Sequence, residues 1–105
     1  MQWMTRIPTT LNDGSQVSSE IRQAILNDVR NVFCGFSLDG PGEGSWVGDD
    51  GRIYDEKSWV LTVVCGRERY HEARQMVIEI GRRLGQLAML FEVRYMDGVE
   101  IIDIE

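Results

Sequence analysis

The chain carries one histidine and two cysteines in 105 residues, and each scarcity removes a chemistry. His71 is followed by Glu72, but HEARQ lacks the second histidine, four positions on, that a zinc-protease helix requires, so it reads as helix surface. Cys34 and Cys65 form neither a CxxC pair nor a metal-ligand spacing. Reduced thiols in a cytoplasmic protein are the expectation, with a disulfide between them a matter of distance. No apolar run approaches the ~20 residues that span a bilayer, and no basic-then-apolar segment opens the chain, so neither a membrane role nor secretion is expected. Basic residues are also in deficit, 11 against 17 acidic, for a formal charge of -6. That balance disfavours nucleic acid as a partner. The glycine-rich run Asp39–Gly44 has no Gly-Lys-Ser/Thr ending and opens no helix, so it is not a phosphate loop.

What is present describes an ordinary folding domain. Hydrophobic residues make up 43% and charged residues 27% of the chain, near the averages for soluble globular proteins. The length fits a single domain over 1–105. Charge is unevenly placed: Arg67, Arg69, Arg74, Arg82 and Arg83 fall in one segment, while Asp97, Glu100, Asp103 and Glu105 crowd the end.

Periodicity supplies the elements. Gln2 to Thr10 alternates as a strand and meets Pro8; Asn12-Asp13-Gly14 turns, and Ser15, Ser18 and Ser19 offer helix caps. Ile21, Ala24, Ile25, Val29, Val32 and Phe33 recur at helical spacing over Ser19–Phe33. Asp39 to Gly44, DGPGEG, reads as a loop. Gly44–Val47 and Arg52–Asp55 flank Gly48-Asp49-Asp50-Gly51 as a hairpin. Ser58–Cys65 is apolar on both alternating faces, Trp59, Leu61, Val63 and Cys65 on one and Val60, Thr62 and Val64 on the other, as in an inner strand covered on both sides. Arg67–Leu84 reads as a second helix ended by Gly85, with Gly81 a site of close packing. Leu87–Met96 has period two and reads as a strand, Asp97-Gly98 as a turn, and Val99–Ile104 as a final antiparallel strand. The order predicts an α+β fold with a mostly antiparallel sheet and two helices on one face, ferredoxin-like with extra hairpin strands.

Gly44-x-Trp46, Gly51, Glu56-x-Ser58 and Gly85-Gln86 together resemble a family of short bacterial and phage-type domains of unknown function, over about half the chain. The resemblance implies a compact ferredoxin-like α+β fold and brings no reaction, cofactor or catalytic residue.

No catalytic residue, metal site or cofactor is expected. Asp49, Asp50, Asp55 and Glu56 depart from the calcium-loop pattern and read as a solvated turn. Glu56, beside a buried strand, is expected to pair with an arginine, although a desolvated carboxylate there can also act as an acid or base. Trp46, Tyr54, Glu56 and Trp59 form the candidate ligand-binding group, against the plainer reading that the aromatics close one end of the core. Val60, Thr62 and Val64 form the candidate interface, because a sheet with helices on one face needs a cover for the other. The favoured expectation is a homodimeric interaction module that is not an enzyme. A ligand-binding or enzymatic dimer is the alternative, and an acidic mimic of nucleic acid is a further one.

Overall fold

The computed structural model describes residues 1–104. The first strand, β1 (Gln2–Pro8), sends Trp3, Thr5 and Ile7 into the core, all fully buried, and leaves Gln2, Met4 and Arg6 half-buried on the other face. It stops at Pro8, whose missing N–H leaves nothing to offer a neighbour on the edge away from β3, and one further backbone bond to β3, from the Thr9 N–H to the Lys57 carbonyl at 3.0 Å, follows before the chain turns. An isolated Thr10–Gln16 bridge brackets the turn, in which the Gly14 N–H reaches the Leu11 carbonyl at 2.9 Å. Of the three candidate serines, Ser18 caps helix α1 (Ser19–Phe33), its hydroxyl accepting from the Ile21 N–H at 3.1 Å. The buried stripe of α1 is Ile25, Leu26, Val29 and Phe33, so Ile21, Ala24 and Val32 lie outside it and Leu26 joins it. The stripe is narrower and rotated from the expected one because a single helix face meets the sheet.

Strands β2 (Ser37–Val47) and β3 (Ile53–Val64) form a long antiparallel hairpin. Gly48 and Arg52 close its turn, the Gly48 N–H donating to the Arg52 carbonyl at 2.9 Å. The expected loop Asp39–Gly44 is therefore corrected: those residues belong to β2, whose ladder shifts register between Asp39, opposite Val60, and Gly42, opposite Ser58. Gly40 and Pro41 mark a bulge on an edge strand, a position that tolerates both residue types.

After a short 3-10 turn at Arg67–Arg69, helix α2 (Tyr70–Arg83) buries Ala73, Met76, Val77, Ile80 and Gly81. Gly85 follows at φ +60, in the left-handed conformation that closes the helix. A Cβ on Gly81 would stand 2.8 Å from Met89 Cγ, so the glycine lets the chain after the helix pack against it.

The expected strand Leu87–Met96 shrinks to β4 (Glu92–Arg94), paired with Gln2–Met4 of β1. Before it, the chain follows β1 without a ladder: Thr5 Oγ1 donates to the Leu90 carbonyl at 2.6 Å, while Met89 and Phe91 pack on the core and Leu87 is almost wholly exposed. The expected final strand Val99–Ile104 is also corrected, since those residues form no strand and keep Val99, Ile101, Ile102 and Ile104 exposed.

The sheet is antiparallel in the order β2-β3-β1-β4. With the element order βαββαβ this is the ferredoxin-like arrangement. One core joins Trp3, Ile7, Leu61 and Val63 of the sheet to the stripes of both helices. The opposite sheet face, with Met4, Val60 and Thr62, remains half-buried, and Val64 is 45% exposed. The molecule is elongated, 50 × 29 × 25 Å with a radius of gyration of 15.0 Å, against about 13 Å for a compact chain of this length. The elongation reflects the hairpin: β1 ends opposite Ser58, so β3 and β2 continue past it as a two-stranded arm.

Candidate functional site

The early end of β1 creates a gap, and that gap is the candidate site. Where the arm passes Pro8, no strand lies beside it. The next chain to fill the space is residues 86–90, held at the other edge of β1 by the Thr5–Leu90 hydrogen bond. The result is an open cleft of about 530 Å³, within the usual range for small-molecule sites. Arg6, Pro8 and Ser58 line its floor, Gly44, Trp46 and Glu56 the arm side, and Ala88, Met89 and Leu90 the opposite side.

Register explains the convergence. Trp46 pairs with Tyr54, Gly44 with Glu56 and Gly42 with Ser58, so alternation puts Trp46, Glu56 and Ser58 on the sheet face opposite the helices. On β1, Arg6 shares that face, and its guanidinium lies 3.4 Å from the Ser58 hydroxyl. Gly44 leaves room beside the indole: a Cβ there would touch only the Trp46 ring edge, at 3.9 Å. Trp46 stays 49% exposed and stacks on Tyr54 at a centroid distance of 6.4 Å. Tyr54 is anchored in turn by donating to Asp50 Oδ2 at 2.6 Å, a bond that holds the Asp50 carboxyl below its usual range and raises the Tyr54 hydroxyl.

Glu56 is the chemically distinctive group. Burial pushes its carboxyl above the usual range, and the charge of Arg6 works against that shift. The expected pairing with an arginine is not found: the ion pairs among the described residues are Arg52–Asp50, Arg69–Glu72, Arg83–Asp28 and Arg94–Glu92. A carboxyl raised by folding is ionised at a cost. That cost is fully present above its folded pKa and is relieved as pH falls through that value. The charged form therefore gains from any cationic or hydrogen-bond-donating group brought into the cleft.

Of the four residues expected at a ligand site, Trp46 and Glu56 meet at the cleft. Tyr54 supports Trp46 from the arm without lining the cleft. Trp59 is misplaced by the expectation: it lies on the helix face of β3, packed on the core, with the Arg22 guanidinium 4.8 Å above its ring. Arg6 and the wall at residues 86–90 went unread. The signal for them was Pro8, which ends β1 while residues 53–56 of β3 are still partnered by β2 alone.

The remaining reactive groups lie elsewhere. Both cysteines are free; Cys34 is exposed in a left-handed position at the end of α1, and Cys65 is half-buried, burial raising its thiol above the usual range. His71 stands edge-on to Tyr70 on the surface of α2. Among the described residues no three His, Cys, Asp or Glu side chains are grouped to hold a metal ion, and no helix is long and apolar enough to cross a membrane.

No protein-family model matches the chain, and no curated protein does. Among solved structures, the divalent cation tolerance protein CutA1 from Thermus thermophilus superposes with a TM-score of 0.68 at 9% identity, over 95% of this chain and 88% of that one. A phage SAM lyase in complex with S-methyl-5'-thioadenosine superposes with a TM-score of 0.59 at 11% identity, over 86% of this chain and 76% of that one. At such identities the likeness is one of fold, and it agrees with the ferredoxin-like topology of the sheet.

Proposed function

We propose that this protein is a binding module that takes a small molecule with a flat ring and a polar or cationic group into the cleft between the hairpin arm and residues 86–90. The observation that carries the reading is the half-exposed Trp46 ring on an open 530 Å³ cleft beside a half-buried carboxyl, Glu56. An exposed indole presents a stacking surface, and Glu56 with Arg6 gives the neighbouring polar groups of a ligand opposite charges to choose between. A nucleoside has this shape and polarity. The similarly folded phage lyase was solved with S-methyl-5'-thioadenosine, which supplies the probe.

Titration with S-methyl-5'-thioadenosine, followed by calorimetry and tryptophan emission, is expected to saturate. Trp46→Ala should weaken binding about tenfold or more, since stacking of a base on an aromatic ring contributes roughly 1–3 kcal/mol. Glu56→Gln should weaken it less. No heat and no emission change at millimolar probe, or equal binding by Trp46→Ala, overturns the reading.

A second reading concerns assembly and rests on a different observation. The sheet face carrying Val60, Thr62 and Val64 has no helix over it, and on the arm the same face leaves Trp46 and Tyr54 at 49% and 41% exposed. We infer that this face is covered by a second copy of the chain, as an unpartnered apolar sheet face favours. Sedimentation equilibrium at tens of micromolar is expected to give a mass above that of one chain, and a strict monomer removes the reading.

A further inference from the structure

The C-terminal segment and the outer side of α2 are complementary in both charge and apolar character, and neither is used by the cleft or the open sheet face. After β4 the chain leaves the sheet at the start of β1, since Arg94 lies opposite Gln2. From there to Ile104 it forms no helix or strand, with Ile101 and Ile104 about nine-tenths exposed and Ile102 two-thirds exposed. Asp97, Glu100 and Asp103 alternate with these apolar residues. Three exposed isoleucines on one short segment make an apolar patch of the kind that marks an interaction site.

The surface that fits lies along α2. A groove of about 320 Å³ runs between the helix and residues 87–89, floored by Val77 and Gly81 and rimmed by Arg74 and Arg82. Both arginines are exposed and take part in none of the ion pairs or side-chain hydrogen bonds among the described residues. Leu87 stands at the groove mouth, 99% exposed. An acidic, isoleucine-rich segment laid here would cover apolar surface along the floor and set carboxylates against two guanidiniums.

The geometry points to the C-terminal segment of one copy docking in the α2 groove of another. The alternative of strand addition to the open edge of β2 is disfavoured by charge, because in that strand and its hairpin Asp39, Glu43, Asp49, Asp50, Asp55 and Glu56 outnumber Arg52 and Lys57. Docking in the chain's own groove is disfavoured by direction. The segment follows β4 out at the Gln2 end of β1, whereas the groove runs from Phe91 and Arg74 back toward Gly81 and Leu87, so a chain entering its own groove would have to reverse direction. Extended, residues 98–104 reach roughly 23 Å, enough to cross to a neighbouring molecule. This contact rests on the self-association inferred above but uses a separate surface, so the two fail separately.

The test uses three variants of the full chain in sedimentation equilibrium. A chain ending at Gly98 loses no buried residue among the described ones and should keep its circular dichroism, yet its self-association should weaken about tenfold or more. Arg74→Glu with Arg82→Glu should weaken it similarly. Adding Glu100→Arg and Asp103→Arg to that pair should restore it. Restoration by the charge exchange establishes the contact. An unchanged mass for the shortened chain, when the full chain associates, overturns this contact and leaves the open-face reading standing. A loss on shortening that the arginine pair does not reproduce assigns the segment to another surface, the β2 edge included, and also overturns it. A full-length chain that is monomeric throughout overturns both.

Discussion

Trp3→Ala is expected to cost about 3–5 kcal/mol, the range for removing a large aromatic from a close-packed core, and so to consume much of the roughly 5–15 kcal/mol that holds a domain of this size. Trp3 is fully buried near the start of β1, opposite Val63 on one side and Val93 on the other, with Phe33 edge-on at 5.3 Å and Phe91 at 6.2 Å. It is thus the residue where β3, β4, α1 and the chain after α2 meet. Its Nε1 has no hydrogen-bond partner, which makes a second variant informative. Both variants remove the unpaired buried N–H, whose burial costs about 1–3 kcal/mol, but Trp3→Phe keeps a ring between Phe33 and Phe91, so its net cost should fall well below that of alanine. Urea denaturation followed by far-UV circular dichroism measures both. Equal losses for the two variants would mean that the ring retained by phenylalanine gains nothing from Phe33 and Phe91, and a loss under about 1 kcal/mol for alanine would mean that the core is centred elsewhere.

That residue also marks the limit of what was legible. The alternation of Trp3, Thr5 and Ile7 showed a strand but not which side was buried, because Met4 on the other side is as apolar as a core residue. The two-sided apolar run Ser58–Cys65 placed β3 inside the sheet correctly, and the Asp-Gly turn placed the hairpin. Two segments misled for opposite reasons. DGPGEG has the composition of a loop, yet its glycines and proline serve a bulge on an edge strand, where ladder bonds on one side suffice. Leu87–Met96 has the alternation of a strand, but its first half is held by a side-chain hydroxyl, Thr5, rather than by a ladder. Period two says nothing about whether a neighbouring edge has backbone groups to offer. The cleft inherits both errors, since one wall is the arm beyond the bulge and the other is the strand that did not form. Trp46 and Glu56 were readable because they sit on the hairpin. Arg6 and Leu90 were not, because their proximity depends on where β1 stops.

The bulge leads to the second large effect, at Gly40. Its φ of +114 lies in a region that side chains rarely adopt, and an added Cβ would stand 2.9 Å from the Gly42 nitrogen and 3.1 Å from the Ser58 carbonyl oxygen. Both neighbours are backbone, so neither can swing away. Gly40→Ala is therefore expected to cost about 1–3 kcal/mol in backbone strain, taken either from global stability or relieved by re-registering β2 against β3. The second outcome bears on function. A one-residue slip past the bulge would reverse which face every later β2 side chain occupies, taking Trp46 off the cleft while Glu56, on β3, stays. Gly40→Ala should then lose S-methyl-5'-thioadenosine binding about as fully as Trp46→Ala while keeping a folded circular dichroism spectrum. Gly42→Ala serves as the control, because a Cβ there meets nothing within 4 Å. If Gly40→Ala is folded and binds as the parent does, the bulge does not set the position of Trp46, and the arm must be held in place by the stacking of Trp46 on Tyr54 and the Tyr54–Asp50 bond instead.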